Sequence, residues 1–286
     1  MNSLTATGAD HTSRILLRLR RIRSYAHLAR SGFRRWATYR QATVAGAVTN
    51  TVFGFVRCYV LLAVAAGAGG VAAGYDAAQL ATYVWFGQGM LAVVMLWGWT
   101  DLADRIRTGD VAVDLLRPLG PVGLYLATDL GRAAHALLTR FLPQVVIGAV
   151  AFDLYLPGRP GTWPLYAVSL LLAVVVCYGC RYLVNAAGYW LLDIRGVVAA
   201  WAFASTLLGG MLFPLRFLPD AWWAAIYLAT PFPSILQIPL DVLVERDPAG
   251  VQAGLVGVQA VWALLILAAC ALVQRRAERR LVIQGG

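Results

Sequence analysis

The sequence contains no lysine, only three histidines and few charged residues of either sign. Without lysine the chain cannot form a P-loop, because that phosphate-binding motif requires one. The histidines, His11, His27 and His135, do not form an HExxH zinc motif, and no GxSxG nucleophile motif occurs. These absences argue against an enzyme and predict no metal site.

Charged residues make up 13% of the chain and hydrophobic residues 60%, against roughly 25% and 45–50% in soluble domains. A water-soluble fold cannot bury that much apolar surface. We predict an all-α, polytopic integral membrane protein, because six stretches approach the length that crosses a bilayer. These predicted spans are 42–66, 80–100, 137–156, 163–192, 197–213 and 251–273.

All basic residues are arginines, and they cluster before residue 41 and after residue 274. Six crossings put both ends on one side, which the positive-inside rule assigns to the cytoplasm. We therefore predict a basic tail at 1–24, a membrane domain at 25–273 with an interfacial helix at 25–40, and a basic C-terminus at 274–286. This distribution favours contact with membrane lipid over nucleic-acid binding.

The four cysteines, Cys58, Cys177, Cys180 and Cys270, all lie inside predicted spans. Such positions are typical of helix packing, and we predict no disulfide. Cys177 and Cys180 form a CxxC pair, but no histidine or carboxylate lies close enough in sequence to complete a metal site.

Two long connections separate the spans. Residues 101–118 alternate apolar residues with charges and are broken by Gly109 and Pro118. This pattern predicts short helices that dock against a partner, with an ordinary solvated loop as the alternative. Residues 214–250 are apolar and rich in proline, which predicts short helices that dip partway into the membrane from the outer side.

Several motifs resemble the transmembrane subunits of ABC-2 type transporters, particularly small six-span permeases of bacterial exporters. The motifs are Thr108-Gly109-Asp110, Asp114 to Pro118, Asp129-Leu130-Gly131-Arg132, Asp193-Ile194-Arg195-Gly196, Gly209 to Pro214, Phe217-Leu218-Pro219, Trp222-Trp223 and Pro231-Phe232. The resemblance implies a permease in the bacterial plasma membrane that forms half of a pathway for a hydrophobic or amphipathic substrate. A second permease, identical or not, would complete the pathway. Separate ATPase subunits would bind ATP and Mg²⁺, and this chain would hold no cofactor.

The resemblance also implies that the loop after span 2 is the coupling helix that contacts the ATPase. Its candidate residues are Asp101, Arg105, Ile106, Gly109, Asp110, Val111, Asp114, Leu115, Arg117 and Pro118. We expect Ile106, Val111 and Leu115 to enter a groove on the ATPase while the charged residues fix register at the rim.

Polar residues within spans 1 and 4 are candidates for a substrate route. Asn50 and Arg57 follow small residues spaced four apart, and Arg181 and Asn185 end a similar stripe from Ser169. Close helix packing is the alternative for both stripes. An ATP-independent channel or secondary transporter is the alternative function, although neither an inverted repeat nor a carboxylate near the middle of a span supports it.

Overall fold

The computed structural model describes residues 23–38, 40–117, 119–191 and 193–279. The twelve α-helices of these residues are α1 (23–37), α2 (Arg40–Gly67), α3 (Ala77–Val94), α4 (Asp101–Thr108), α5 (Val111–Leu115), α6 (Pro121–Ala136), α7 (Leu142–Ala151), α8 (Thr162–Ala186), α9 (Arg195–Leu208), α10 (Asp220–Ala229), α11 (Gln237–Leu243) and α12 (Ala249–Glu278). Two short strands, β1 (Val71–Ala72) and β2 (Tyr75–Asp76), form a hairpin. This architecture agrees with the all-α prediction.

Four helical stretches of the described residues are long and apolar enough to cross a membrane, as expected of a multi-pass membrane protein. They are Val44–Gly67, Pro121–Ala151, Thr162–Tyr189 and Ala249–Glu278. Neither α3, with 18 residues, nor α9, with 14, is among them, so the count of six is not confirmed. In α3, Gln79, Thr82 and Gln88 lower the hydropathy, and the first two bond to backbone carbonyls of other segments.

The boundaries predicted for the third span, 137–156, are wrong. A continuous helical stretch begins at Pro121 and ends at Ala151, and a π-helical turn at Leu137–Phe141 joins α6 to α7. Asp129 and Arg132 interrupt the apolar pattern of the sequence, yet both are buried in the structure because they pair with other groups. Hydropathy alone therefore places the start of this helix too late.

The most extensive helix contact joins α8 to α12 and includes Ser169 of the predicted stripe. Gln259 on α12 accepts a hydrogen bond from the Ser169 hydroxyl at 2.8 Å and donates to the Ser169 carbonyl at 2.8 Å. A Cβ at Gly179 would lie 2.4 Å from the Ile266 side chain, so a larger residue there would displace Ile266. The four cysteines are free and buried.

Interactions between residues close in sequence stabilise the hairpin and the start of α3. Its turn residues, Ala73 and Gly74, both have positive φ, as a two-residue turn of type I′ requires. Asp76 then caps α3 in a capping box with Gln79. The Gln79 amide also donates to the Val244 carbonyl at 2.8 Å, which ties this end of α3 to the 214–250 connection.

That connection contains short helices, as its prolines predict. They are the 3₁₀ turns Leu215–Phe217 and Phe232–Ser234 together with α10 and α11. Every residue of α11 is buried, so this segment is part of the protein core.

Candidate functional site

The predicted coupling region forms two helices separated by a sharp break. Helix α4 ends at Thr108, and Gly109 has a φ of 83°, in the left-handed region that glycine adopts without strain. Acidic residues occupy the first turn of α4 and arginines its last turn, which complements the helix dipole. We call residues 101–117 the α4–α5 segment.

A buried carboxylate joins the two helices to each other and to α6. Arg105 Nε donates to Asp114 Oδ2 at 2.8 Å, and the Tyr125 hydroxyl donates to the same oxygen at 2.7 Å. Arg105 also donates to the Asp110 carbonyl at 3.1 Å. Asp114 is buried, so it is not the rim charge that the sequence suggested.

Asn185 anchors the start of α4 to the end of α8. Its side-chain oxygen accepts from the Ala103 backbone N–H at 3.1 Å, and its amide donates to the Trp99 carbonyl at 2.9 Å. The amide also donates to the Arg181 carbonyl of its own helix. Asn185 is thus placed to position the α4–α5 segment, and all three of these contacts are internal to the protein.

The apolar face of the segment differs from the expected one. Val111 is completely buried in the protein core, and Ile106 and Leu115 are half-buried. The exposed apolar side chains are Val113 and Leu116, which are 55% and 86% exposed. A five-residue helix is too short for periodicity to show which face is free.

The remaining coupling candidates lie at the edge of the segment. Asp101 forms an ion pair with Arg35 of α1 at 3.0 Å, and Asp110 accepts from the Thr108 hydroxyl at 2.9 Å. Arg117 is exposed, with its Nε 3.8 Å from Asp114. Pro118 lies outside the described residues.

Arg181, a candidate for the substrate route, belongs to a buried ion-pair triad. Its Nη2 donates to Asp129 Oδ2 at 2.8 Å, and Arg132 Nε donates to Asp129 Oδ1 at 2.6 Å. Arg132 also donates to the carbonyls of Ala92 and Val93 in the last turn of α3, each at 2.8 Å. This arrangement supports the packing interpretation for the span 4 stripe.

Two residues of the Asp129–Arg132 motif belong to the triad, and a close helix contact explains a third. Asp129 and Arg132 join α6 to α3 and α8, while Gly131 lets α1 approach α6. A Cβ at Gly131 would lie 1.8 Å from the Ala29 carbonyl oxygen, which excludes any other residue there.

The span 1 candidates have weaker contacts. Asn50 donates to the Gln88 carbonyl at 3.4 Å. Arg57 is half-buried, and its Nε is buried with no hydrogen-bond partner among the described residues. The structure therefore brings Arg181 and Asn185 into packing contacts and leaves Arg57 as the unpaired candidate.

Sequence reasoning missed a buried carboxylate in α11. Asp241 accepts hydrogen bonds from the hydroxyls of Tyr75 and Tyr227, from Gln237 at 2.8 Å and from Arg216 at 3.4 Å. The Arg216 guanidinium lies 3.8 Å from the centroid of the Trp223 ring. We call these residues the Asp241 cluster; an aspartate within an apolar, proline-rich segment is the signal that could have revealed it.

Glu245 forms a second cluster beside it. Its carboxylate accepts from the hydroxyls of Thr162 and Tyr155 at 2.5 and 2.6 Å, and from the backbone N–H groups of Gly158 and Arg159. Burial raises the pKa of this carboxyl, but the four hydrogen bonds outweigh it and lower the pKa to about 2. Glu245 thereby fixes the loop between α7 and α8.

Comparison with protein families agrees with the motifs. The sequence model for ABC-2 family transporter proteins matches residues 53–285. No curated protein and no solved structure matches the chain. The family match covers the α4–α5 segment, the Asp129 triad and both clusters. The chain belongs to the ABC-2 family of transporter proteins.

Proposed function

We propose that this chain is the permease subunit of an ATP-binding cassette exporter, with six spans and both termini in the cytoplasm. A second permease, identical or not, completes the pathway, and separate subunits bind ATP and Mg²⁺. Family membership supports the transport role, and the arginine distribution supports the orientation. Export is proposed from the resemblance to bacterial exporters.

The anchoring of the α4–α5 segment is the observation that carries this proposal. Asn185 holds the start of α4 on α8, and the Asp114–Tyr125 bond holds α5 on α6. Because the segment is fixed to two membrane helices at separate points, a displacement imposed on it is transmitted to both. A solvated loop would not transmit it.

The exposed surface of the segment has the composition of a protein interface. Val113 and Leu116 form an apolar centre, and Asp104 and Arg107 are exposed on the preceding helix. Interfaces commonly combine an apolar centre with a charged rim. We therefore propose Val113 and Leu116 as the residues that enter the ATPase groove.

Co-purification tests this assignment. Val113→Asp combined with Leu116→Asp would place two unpaired charges in the interface, so we expect at least tenfold less bound ATPase, about 1.4 kcal/mol or more. Substrate-stimulated ATP hydrolysis should fall in parallel. The measurement uses the chain expressed together with the ATP-binding cassette subunit proposed as its partner.

The matched control is Val71→Asp. Val71 is also 55% exposed, but it lies in the hairpin before α3, whereas the α4–α5 segment follows the other end of that helix. This variant should bind the ATPase normally. Unchanged binding and hydrolysis in the double variant would show that the α4–α5 segment is not the docking surface.

A further inference from the structure

An arginine without a partner lies in the π-helical turn between α6 and α7. Within the described part of the chain, the Arg140 guanidinium has no hydrogen-bond or ion-pair partner, and its Nε is buried. Arg132 and Arg181, in contrast, are both paired with Asp129. Arg140 is therefore a half-buried cation with a buried Nε, and no described residue neutralises its charge by contact.

A cavity of about 200 Å³ lies beside this guanidinium. Its polar lining consists of Asn50, Arg132, His135 and Arg140, and none of the described residues that line it is acidic. Leucine, alanine, methionine and tryptophan side chains form the remainder. The cavity thus combines an uncompensated positive charge with apolar walls.

The two arginines of the cavity differ in what they can still bind. Arg132 directs Nε to Asp129 and its two terminal nitrogens to the carbonyls of Ala92 and Val93. Its donors are therefore largely used within the protein. Arg140 is the residue whose donors remain for a ligand.

Arg140 lies within a helical stretch long enough to cross a membrane, where an unpaired guanidinium is costly. The stretch Pro121–Ala151 has 31 residues, which corresponds to about 46 Å of helix against about 30 Å of hydrocarbon. Arg140 lies about 16 Å before its Ala151 end at 1.5 Å per residue. An arginine inside a membrane-spanning helix faces protein or a water-filled cavity and commonly marks a substrate route.

Two local features position the guanidinium. Gly46 on α2 lets it approach that helix, because a Cβ at this residue would lie 1.9 Å from Arg140 Nη2. The π-helical turn carries Arg140 itself, and such turns occur frequently at functional sites.

We propose that this cavity binds the oxyanion group, phosphate or carboxylate, of an amphiphilic molecule, with Arg140 as its charge partner. Asn50 and His135 lie in position to add hydrogen bonds, and the apolar walls receive the adjoining part of the molecule. This inference rests on the proposed transport function and specifies its substrate class as anionic amphiphiles.

Binding to the purified full-length chain in a nonionic maltoside detergent tests the proposal. The probes are lysophosphatidic acid, which has a phosphate and one acyl chain, monoolein, which is neutral, and inorganic phosphate. We expect lysophosphatidic acid to bind most tightly and Arg140→Gln to weaken it at least tenfold, because a charge-assisted pair is lost. Monoolein binding as tight as lysophosphatidic acid would overturn the oxyanion assignment, and equally tight phosphate binding would overturn the amphiphile assignment.

Further variants separate binding from folding. Arg276→Gln removes the same charge from an exposed position near the end of α12 and should leave binding unchanged. Gly46→Ala keeps the charge of Arg140 but displaces its guanidinium, whereas Arg140→Lys keeps a cation at the same position. We therefore expect Gly46→Ala to weaken lysophosphatidic acid binding more than Arg140→Lys does. Thermal unfolding of each variant shows whether it folds. If Arg140→Gln does not fold, the difference in binding between Gly46→Ala and Arg140→Lys tests whether Arg140 binds the anionic group.

Equal affinity for lysophosphatidic acid in all these variants would overturn the proposal. No ATPase is present in this experiment. A negative binding result would therefore count against the anionic substrate and not against ATPase docking through Val113 and Leu116. Conversely, a negative co-purification result would count against docking and not against the binding of the anionic amphiphile.

Discussion

The side-chain oxygen of Asn185 accepts the backbone N–H of Ala103 at 3.1 Å, so a residue of α8 satisfies one of the unpaired donors in the first turn of α4. The N-cap residue of α4, Thr100, makes no such side-chain bond. The start of the α4–α5 segment is thus capped by another helix, which makes its position depend on α8.

Asn185→Ala should loosen this attachment. The substitution leaves the Ala103 N–H and the Trp99 carbonyl without their partner, which costs about 1–3 kcal/mol for a buried group. We expect a lower melting temperature and reduced substrate-stimulated ATP hydrolysis. Asn50→Ala, which removes only a 3.4 Å bond at a half-buried position, is the control for stability. A normal melting temperature for Asn185→Ala would contradict the anchoring role.

Arg181→Gln should destabilise the protein strongly. It leaves Asp129 buried with one of its two ion pairs broken, and loss of one partner of a buried pair costs about 3–5 kcal/mol. The measurement is the yield and melting temperature of the purified chain.

Arg57→Gln provides the comparison for Arg181, because Arg57 has no ion pair among the described residues. We expect a normal yield for this variant, and a lower transport rate if Arg57 lines the substrate route. Equal yields for the two variants would refute the structural role assigned to Arg181.

Acid should weaken the Glu245 cluster. The pKa of this carboxyl falls from its usual 4.5 to about 2 on folding, so the charged form stabilises the fold above the unfolded pKa. That contribution is lost as the pH falls from about 4.5 towards 2. The melting temperature of the wild type should therefore fall more steeply over this range than that of Glu245→Gln. Parallel curves would show that Glu245 is not responsible.

Asp241→Asn should disrupt the fold around α11. The amide removes the negative charge that faces Arg216 and directs donors at groups that already donate, including the Tyr227 hydroxyl. We expect a loss of about 3–5 kcal/mol of stability, as for other broken buried pairs. Asp220→Asn, at an exposed aspartate that accepts a hydrogen bond from Trp223, should change the unfolding midpoint little.

The sequence predicted those elements whose position depends on residues close to one another in the chain. Gly109 ends α4 as expected, and the apolar runs locate α2, α8 and α12 well. The start of α6 could not be predicted, because the burial of Asp129 depends on Arg132 and also on Arg181, which is 52 residues away in the chain.

The same reason explains the missed sites. Asp241 depends on Tyr75, which is 166 residues earlier, and no local pattern encodes that contact. Val111 and Val113 lie in the same short apolar run, yet Val111 is buried and Val113 is 55% exposed, a difference that the run itself does not indicate.

The π-helical turn means that the Pro121–Ala151 stretch contains one residue more than an α-helix of the same register. Arg132 and Arg140 would point about 80° apart in an uninterrupted α-helix, whereas the surplus residue brings them to within about 20°. Shortening the chain by one residue at Leu138 should therefore restore a plain α-helix and keep both arginines on one face. Removing one residue at Val146 instead should rotate everything that follows it by about 100° and misalign the helix end.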